Sequence, residues 1–197
     1  MKLSASGYPE IVRSTSVPDA LIPFDKAARC KQNGAWVHFY IEDYQFERVW
    51  KKPSSYVNIL SKYRGVIAPD FSVYYDMPKP MKLWNMYRNR FLANYMQSVG
   101  IDVIPNIQIL EPELWEYSIE GIEPRGTIAV NCTGTKRRYF ARQMLKRQME
   151  YVIERLQPQT IICYGNERMF PEYGNVIHFE NNHIKRVRDV QRCKNAK

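Results

Sequence analysis

Short and continuously apolar runs recur along the chain, and each has the length and the β-branched or aromatic composition of a buried strand. The runs that predict strands are residues 36–41, 65–68, 101–109, 127–131, 160–164 and 175–179. Pro105 interrupts the third run and cannot donate a hydrogen bond to a neighbouring strand. Because the runs lack the apolar–polar alternation of a half-exposed sheet, they indicate parallel strands that are covered on both faces.

Segments with helical spacing of apolar residues separate these runs. Residues 44–50 predict one helix, Pro53 opens a second, and 136–156 predict a basic one. The clearest helix begins at Pro80, presents a broad aromatic stripe and ends at Gly100. Strands and helices therefore alternate at steps of roughly 30 residues, which is the size of a βαβ unit.

This alternation predicts an α/β fold with a mainly parallel, five- to six-stranded sheet and helices on both faces. The alternative is an incomplete βα barrel, since six units are fewer than the eight of a full barrel. We expect residues 1–29 to form an N-terminal arm packed on the body, 30–180 a single α/β domain and 181–197 a basic C-terminal tail.

The composition is that of a globular protein. The chain has 197 residues, 45% of them apolar and 25% charged, and its 4 Trp, 14 Tyr and 8 Phe exclude disorder of the whole chain. The short apolar runs predict no membrane span, and residues 1–7 lack the apolar region of a secretory signal.

The cysteines are far apart and form no C-x-x-C pair: Cys30, Cys132, Cys163 and Cys193. We therefore expect a cytoplasmic protein with reduced thiols, two of them buried in strands.

The net charge of +9 is concentrated in two segments. Residues 136–147 contain six basic side chains and no acidic one, and 183–197 contain six basic side chains and one acidic. Such local basicity is typical of a protein that binds a polyanion, although solubility alone also accounts for it.

Polar side chains follow the predicted strands at their carboxyl ends, where parallel α/β folds bind ligands. Asp43 and Asp70 are the candidate catalytic pair, because two convergent carboxylates divide acid and base roles or share a divalent metal ion. The alternative for each is to cap the following helix. His38 lies inside a strand and is interpreted as a core residue. Six further residues are assigned to the same cleft: Ser72, Arg88, Asn106, Asn131, Tyr164 and Asn166.

The turn before the basic helix is a candidate phosphate site. Cations at a helix N-terminus oppose the helix dipole, so three in a row are explained by an anion that the free N–H groups and the basic side chains bind together. The spacing of a P-loop is absent, and a solvated basic helix face is the alternative. The candidate phosphate-binding residues are Thr133, Gly134, Thr135, Lys136, Arg137 and Arg138.

Several sequence segments resemble those of a family of domains of unknown function that is common in bacteriophages, prophages and plasmids. They are residues 22–24, 36–47, 65–72, 103–106 and 161–165, with Pro158 and a helix that carries Asn85, Tyr87, Arg88 and Arg90. The resemblance covers roughly residues 20–166 and implies a protein of a mobile element, found in a virus or its host. It implies no particular reaction and no catalytic residue.

Together these features favour an accessory protein that acts on nucleic acid or a phosphorylated nucleotide. If it is an enzyme, two carboxylates and nearby cations suit hydrolysis of a phosphoester or an N-glycosidic bond. The alternative is a non-catalytic module that binds nucleic acid or a host protein through its basic surface. A sensor of a small molecule that uses the same cleft is the third interpretation.

Overall fold

A computed structural model describes residues 1–29, 34–133, 139–165, 169–170 and 172–181. The strands are β1 Leu21–Pro23, β2 Trp36–His38, β3 Gly65–Ile67, β4 Val103–Ile104, β5 Asn106–Ile107, β6 Thr127–Asn131, β7 Thr160–Tyr164 and β8 Val176–Phe179. The helices are α1 Phe24–Ala27, α2 Asp43–Lys51, α3 Ser54–Leu60, α4 Lys79–Ser98, α5 Trp115–Ile119 and α6 Tyr139–Leu156, with a short 3-10 helix at Pro112–Leu114.

The strands form two four-stranded parallel sheets, β1-β2-β3-β4 and β5-β6-β7-β8, in the order of the chain. Pro105 separates β4 from β5, so one extended segment begins in the first sheet and ends in the second. Ile104 pairs with Ile67 of the first sheet, whereas the Pro105 carbonyl accepts a hydrogen bond from the Ala129 N–H of the second, at 2.9 Å. A strand order without reversal is the winding of a βα barrel and differs from that of a doubly wound sheet.

The α/β class is confirmed, but the prediction of one sheet with five to six strands is wrong. Pro105 accounts for the division, because it has no N–H to continue the ladder and the chain changes its pairing partner there. Leu21–Pro23 adds a strand that the sequence placed in the N-terminal arm, and it pairs in parallel with Trp36–His38.

The helices pack on one face of the sheets, which corrects the prediction of helices on both faces. Val37 and Val66 meet side chains of α2, α3 and α4 in one apolar cluster, and Val130 and Cys163 meet α6 in a second. The opposite faces of the two sheets share a cluster to which no described helix contributes: Trp36, Ile67, Ile104, Ala129 and Ile162, with Leu21, Tyr40, Ile177 and Phe179 against it. The strands are therefore apolar on both sides because strands from the other sheet cover the second face.

The N-terminal segment packs on this body, since Tyr8 and Ile11 are buried. The division of the chain at residues 29 and 180 stays a prediction, and 182–197 lie outside the described residues. So do positions 136–138, where the sequence predicts the start of α6.

The helix α4 ends close to its predicted stop, and Gly100 just beyond it has a φ of +86°, a conformation that favours glycine. In the described part of the chain, no helix has the length and apolar character needed to cross a membrane.

Gly65 allows the Trp36 ring to lie across the start of β3, and substitution there should destabilise the fold. A Cβ at this position would lie 2.5 Å from Trp36 Cη2 and 2.7 Å from the Asp102 carbonyl oxygen. We expect Gly65→Ala to lower the free energy of unfolding by about 1–3 kcal/mol or more, the usual cost of overpacking, in urea unfolding. Gly34→Ala is the matched control, because nothing lies within 4 Å of its added Cβ. Equal stability of the two variants would contradict this account.

Candidate functional site

The segment 69–72 after β3, which we call the Asp70 turn, is held by side chains from several elements. Asn89 Oδ1 accepts a hydrogen bond from the Phe71 N–H at 2.9 Å, and Gln108 Nε2 donates to the Phe71 carbonyl at 2.6 Å. Asn85 Nδ2 donates to the Ser72 carbonyl at 2.6 Å. Because these peptide groups are all paired, the turn has a fixed shape at the edge of the first sheet.

Asp43 completes the pairing of the turn. It is the first residue of α2, and its Oδ1 accepts from Ser72 Oγ at 2.8 Å while its Oδ2 accepts from the Ser72 N–H at 3.1 Å. The N-cap position of α2 is Glu42, which makes no side-chain capping bond, and no helix follows Asp70 until Lys79. Neither carboxylate is therefore seen to cap a helix, and Asp43 positions the turn that carries Asp70.

Asp70 receives hydrogen bonds from two asparagines of the second sheet. Asn106 Nδ2 donates to Oδ1 at 2.8 Å, and Asn131 Nδ2 donates to Oδ2 at 3.3 Å. The Tyr40 hydroxyl donates to Asn106 Oδ1 at 2.9 Å, which turns the amide nitrogen of Asn106 toward the carboxylate. The chain Tyr40–Asn106–Asp70 therefore joins residues that follow β2 and β3 to the first strand of the other sheet.

Burial raises the pKa of Asp70 from 3.8 to about 6. The hydrogen bonds from Asn131 and Asn106 favour the ionised form and oppose this rise, whereas the charge of Asp43 adds to it. A carboxyl group with such a pKa is present in both protonation states near neutral pH, as acid–base catalysis requires.

A cleft of about 250 Å³ opens in front of Asp70. Its walls are formed by residues 70, 72–74, 107–109, 131 and 133. The Thr133 N–H donates to Asn131 Oδ1 at 3.0 Å, so Thr133 and Asn131 together form the part of the wall that follows from the end of β6. The structure thus brings Asp70, Ser72, Asn131 and Thr133 to one cleft, with Asn106 behind them.

Arg88 lies outside this cleft, on the helix side of the Asp70 turn. Its guanidinium stacks 3.7 Å from the centre of the Phe71 ring and forms an ion pair with Glu47 at 3.0 Å. Its second terminal nitrogen donates to Asn85 Oδ1 at 2.6 Å. Arg88 therefore supports the turn from behind. The remaining predicted residues, Gly134, Thr135, Lys136, Arg137, Arg138 and Asn166, lie outside the described part of the chain.

Tyr164 lines a separate hollow of about 350 Å³, together with His38 and Tyr40. His38 is fully buried, as predicted, and its Nδ1 accepts from the Tyr40 N–H at 3.2 Å. Burial, with the charge of Lys26, lowers the pKa of His38 to about 3, so the imidazole is neutral. Behind Asn131 and Tyr164, the thiols of Cys132 and Cys163 are buried with their sulphurs 2.8 Å apart.

Four polar side chains that hold the site are not among the predicted residues: Tyr40, Asn85, Asn89 and Gln108. Three of them have a weak signal in the sequence. Gln108 is a polar residue between two isoleucines, and Asn89 follows Asn85 by four positions on an otherwise aromatic helix, so both share one helix face. Among the described residues, no cluster of three or more His, Cys, Asp or Glu is arranged to hold a metal ion, so a divalent cofactor stays a prediction.

The fold and the site define an α/β protein whose parallel strands end around a small polar cleft. The chain belongs to the family described as domain of unknown function DUF4417, whose model matches residues 2–180. This membership agrees with the resemblance seen in the sequence.

Two curated relatives come from bacteriophages. The chain is 33% identical over 137 residues to the Gene 1 protein of Mycobacterium phage L5, which covers 70% of this chain and 60% of that protein. It is 29% identical over 170 residues to the Gene 1 protein of Mycobacterium phage D29, which covers 84% of this chain and 63% of that protein. The chain thus spans less than two thirds of the length of these relatives. No solved structure matches it at a significant level.

The raised pKa of Asp70 makes stability depend on pH. Between about pH 4 and pH 6 the folded chain holds a proton on Asp70 that the unfolded chain has released, so this contribution to stability is lost as the pH rises through about 6. We therefore expect Asp70→Asn to gain stability relative to the wild type as the pH rises from 4 to 7. Urea unfolding at half-unit pH steps measures the difference, and a difference that stays constant over this range would contradict the shift.

Proposed function

We propose that this phage-related protein binds a nucleotide unit, free or within nucleic acid, in the Asp70 cleft and hydrolyses its N-glycosidic bond. In this reaction Asp70 protonates the leaving base, water adds to the sugar carbon, and the proton released by the water returns to Asp70. Cleavage of a phosphoester is the second hydrolytic reaction that the cleft would serve.

The environment of Asp70 is the observation that carries this proposal. A carboxyl group with a pKa of about 6 donates a proton and takes one back within the same pH range. Asn106 and Asn131 each donate a hydrogen bond to one carboxylate oxygen, and Asp70 lines the cleft. Such a group, in a cleft at the carboxyl ends of parallel strands, is where catalysis is expected in this class of fold.

The charge distribution supports a phosphate-bearing substrate. The net charge is +9, and α6 carries Arg142, Lys146 and Arg147 before its first acidic residue, Glu150. Thr133 on the cleft wall is three positions before Lys136, the first of three successive basic residues in the sequence, 136–138. Cations close to a cleft concentrate polyanions there and make their binding sensitive to salt.

A non-catalytic binding module is the second candidate function, and the contacts of Asp43 favour it. Both oxygens of Asp43 are engaged by Ser72, so the second carboxylate of the predicted pair serves the turn rather than a substrate. In that case the cleft recognises a nucleotide, or a small molecule of similar size, without changing it.

Asp70→Asn separates the two candidates, because it removes the titrating group and keeps the shape of the side chain. We expect the variant to retain binding of labelled DNA, RNA or nucleotides within about threefold and to lose at least about 100-fold in release of free base or cleaved strand. Asp19→Asn, an exposed change of equal charge, is the control. Binding at two salt concentrations is measured by fluorescence anisotropy, and products are resolved on gels and by chromatography, with and without Mg²⁺.

The outcomes divide the candidates. Turnover by the wild type and the Asp19→Asn control, but not by Asp70→Asn, supports catalysis by Asp70. Salt-sensitive binding without any product supports the binding module. If no nucleotide or nucleic acid binds even at low salt, both nucleotide-directed proposals are wrong, and host proteins become the partners to examine.

A further inference from the structure

An apolar hollow of about 590 Å³ adjoins the Asp70 cleft. The two cavities share three wall residues, Val73, Tyr74 and Ile109, so the hollow continues the cleft away from Asp70. The far side of the hollow is formed by Phe140 and Met144 of the first turns of α6. Its volume is within the range of sites that bind organic molecules of moderate size.

Large aromatic side chains stand exposed around this hollow. Tyr75 is 82% exposed, Phe140 67% and Tyr74 57%. All three line the same hollow, although exposed aromatic side chains on a folded protein are usually scattered. Such a concentration of exposed ring faces is the arrangement on which nucleic-acid bases stack.

The charged side chains near the hollow indicate the kind of ligand that it would bind. Arg147 follows Phe140 by seven residues, or two helical turns, and therefore lies on the same face of α6. Glu111 is the acidic residue among the described residues that line the hollow, and its carboxylate is already paired with Lys82. The ring faces suit a flat apolar group, and Arg147 further along the same helix face suits a negatively charged chain attached to that group, as in a base on its sugar–phosphate backbone.

We propose that this hollow binds an unpaired base next to the nucleotide in the Asp70 cleft, so that the substrate is single-stranded nucleic acid. The inference rests on the proposed function and narrows its substrate class. A base must leave its partner and its stacked neighbours before an aromatic side chain takes one of its faces, so duplexes are disfavoured. A free mononucleotide occupies only the Asp70 cleft and makes none of the stacking contacts in the hollow.

The test compares wild type with Phe140→Ala and Tyr75→Ala, using thymidine monophosphate, a single-stranded hexanucleotide and the matching duplex. The wild type should bind the single strand at least about 10-fold more tightly than the monophosphate or the duplex. Each variant should weaken binding of the single strand by roughly 5- to 150-fold, the loss of one stacked base, and leave the monophosphate unchanged. Tyr44→Ala is the control, since Tyr44 is 78% exposed and lies away from the hollow.

The outcomes distinguish this inference from the function on which it rests. If the single strand binds no better than the monophosphate, or if the variants bind it as well as Tyr44→Ala does, the hollow is not a base site, while monophosphate binding still supports the Asp70 cleft. If an acidic peptide binds instead, and Phe140→Ala removes that binding, the occupant is a protein and the inference is wrong. If no nucleotide or strand binds at all, the proposed function fails together with it. Thermal unfolding of each variant confirms that these exposed changes leave the fold intact.

Discussion

The rest of the structure depends on a proline that cannot donate a backbone hydrogen bond. Pro105 lies in the middle of an extended segment, and the chain pairs with β3 before it and with β6 after it. The two sheets therefore meet at this residue, and no helix of the described residues lies between their inner faces, which pack on each other. Asn106, the next residue, lies where the two sheets meet, which we call the seam. Its side chain donates a hydrogen bond to Asp70.

The seam explains why the polar residues of the candidate site come from both sheets. Asp70 follows a strand of the first sheet, whereas Asn106 and Asn131 belong to the second. In a low-polarity seam, an isolated carboxylate would be held strongly in its neutral form, because burial penalises the charge. The two amide donors partly offset that penalty, so the balance of burial and hydrogen bonding leaves the pKa of Asp70 near 6.

The sequence predicts the elements of this fold more closely than their assembly. Strands β6 and β7 have the predicted bounds, because each is a short apolar run that contains several β-branched residues, which favour strands. The sequence does not predict the division into two sheets, although Pro105 interrupts a predicted strand, because a change of pairing partner depends on tertiary contacts. For the same reason the sequence predicts a catalytic role for Asp43, although its contacts are with the Asp70 turn. Its position near a strand end was right, but only the fold shows that Ser72 takes both of its oxygens.

Tyr40 connects the hollow that contains His38 with the hydrogen bonds that hold Asp70. Its ring borders the hollow that contains His38 and Tyr164, while its hydroxyl reaches Asn106 and, through it, Asp70. Burial, with the charge of Asp70, raises the pKa of this hydroxyl well above its usual range, so it stays protonated and acts as a fixed donor. A fixed donor holds the Asn106 amide in one orientation, and that orientation directs an N–H toward Asp70. A ligand in the His38 hollow would therefore contact Tyr40 at one end of this hydrogen-bonded chain, and a ligand in the Asp70 cleft would contact Asp70 at the other end.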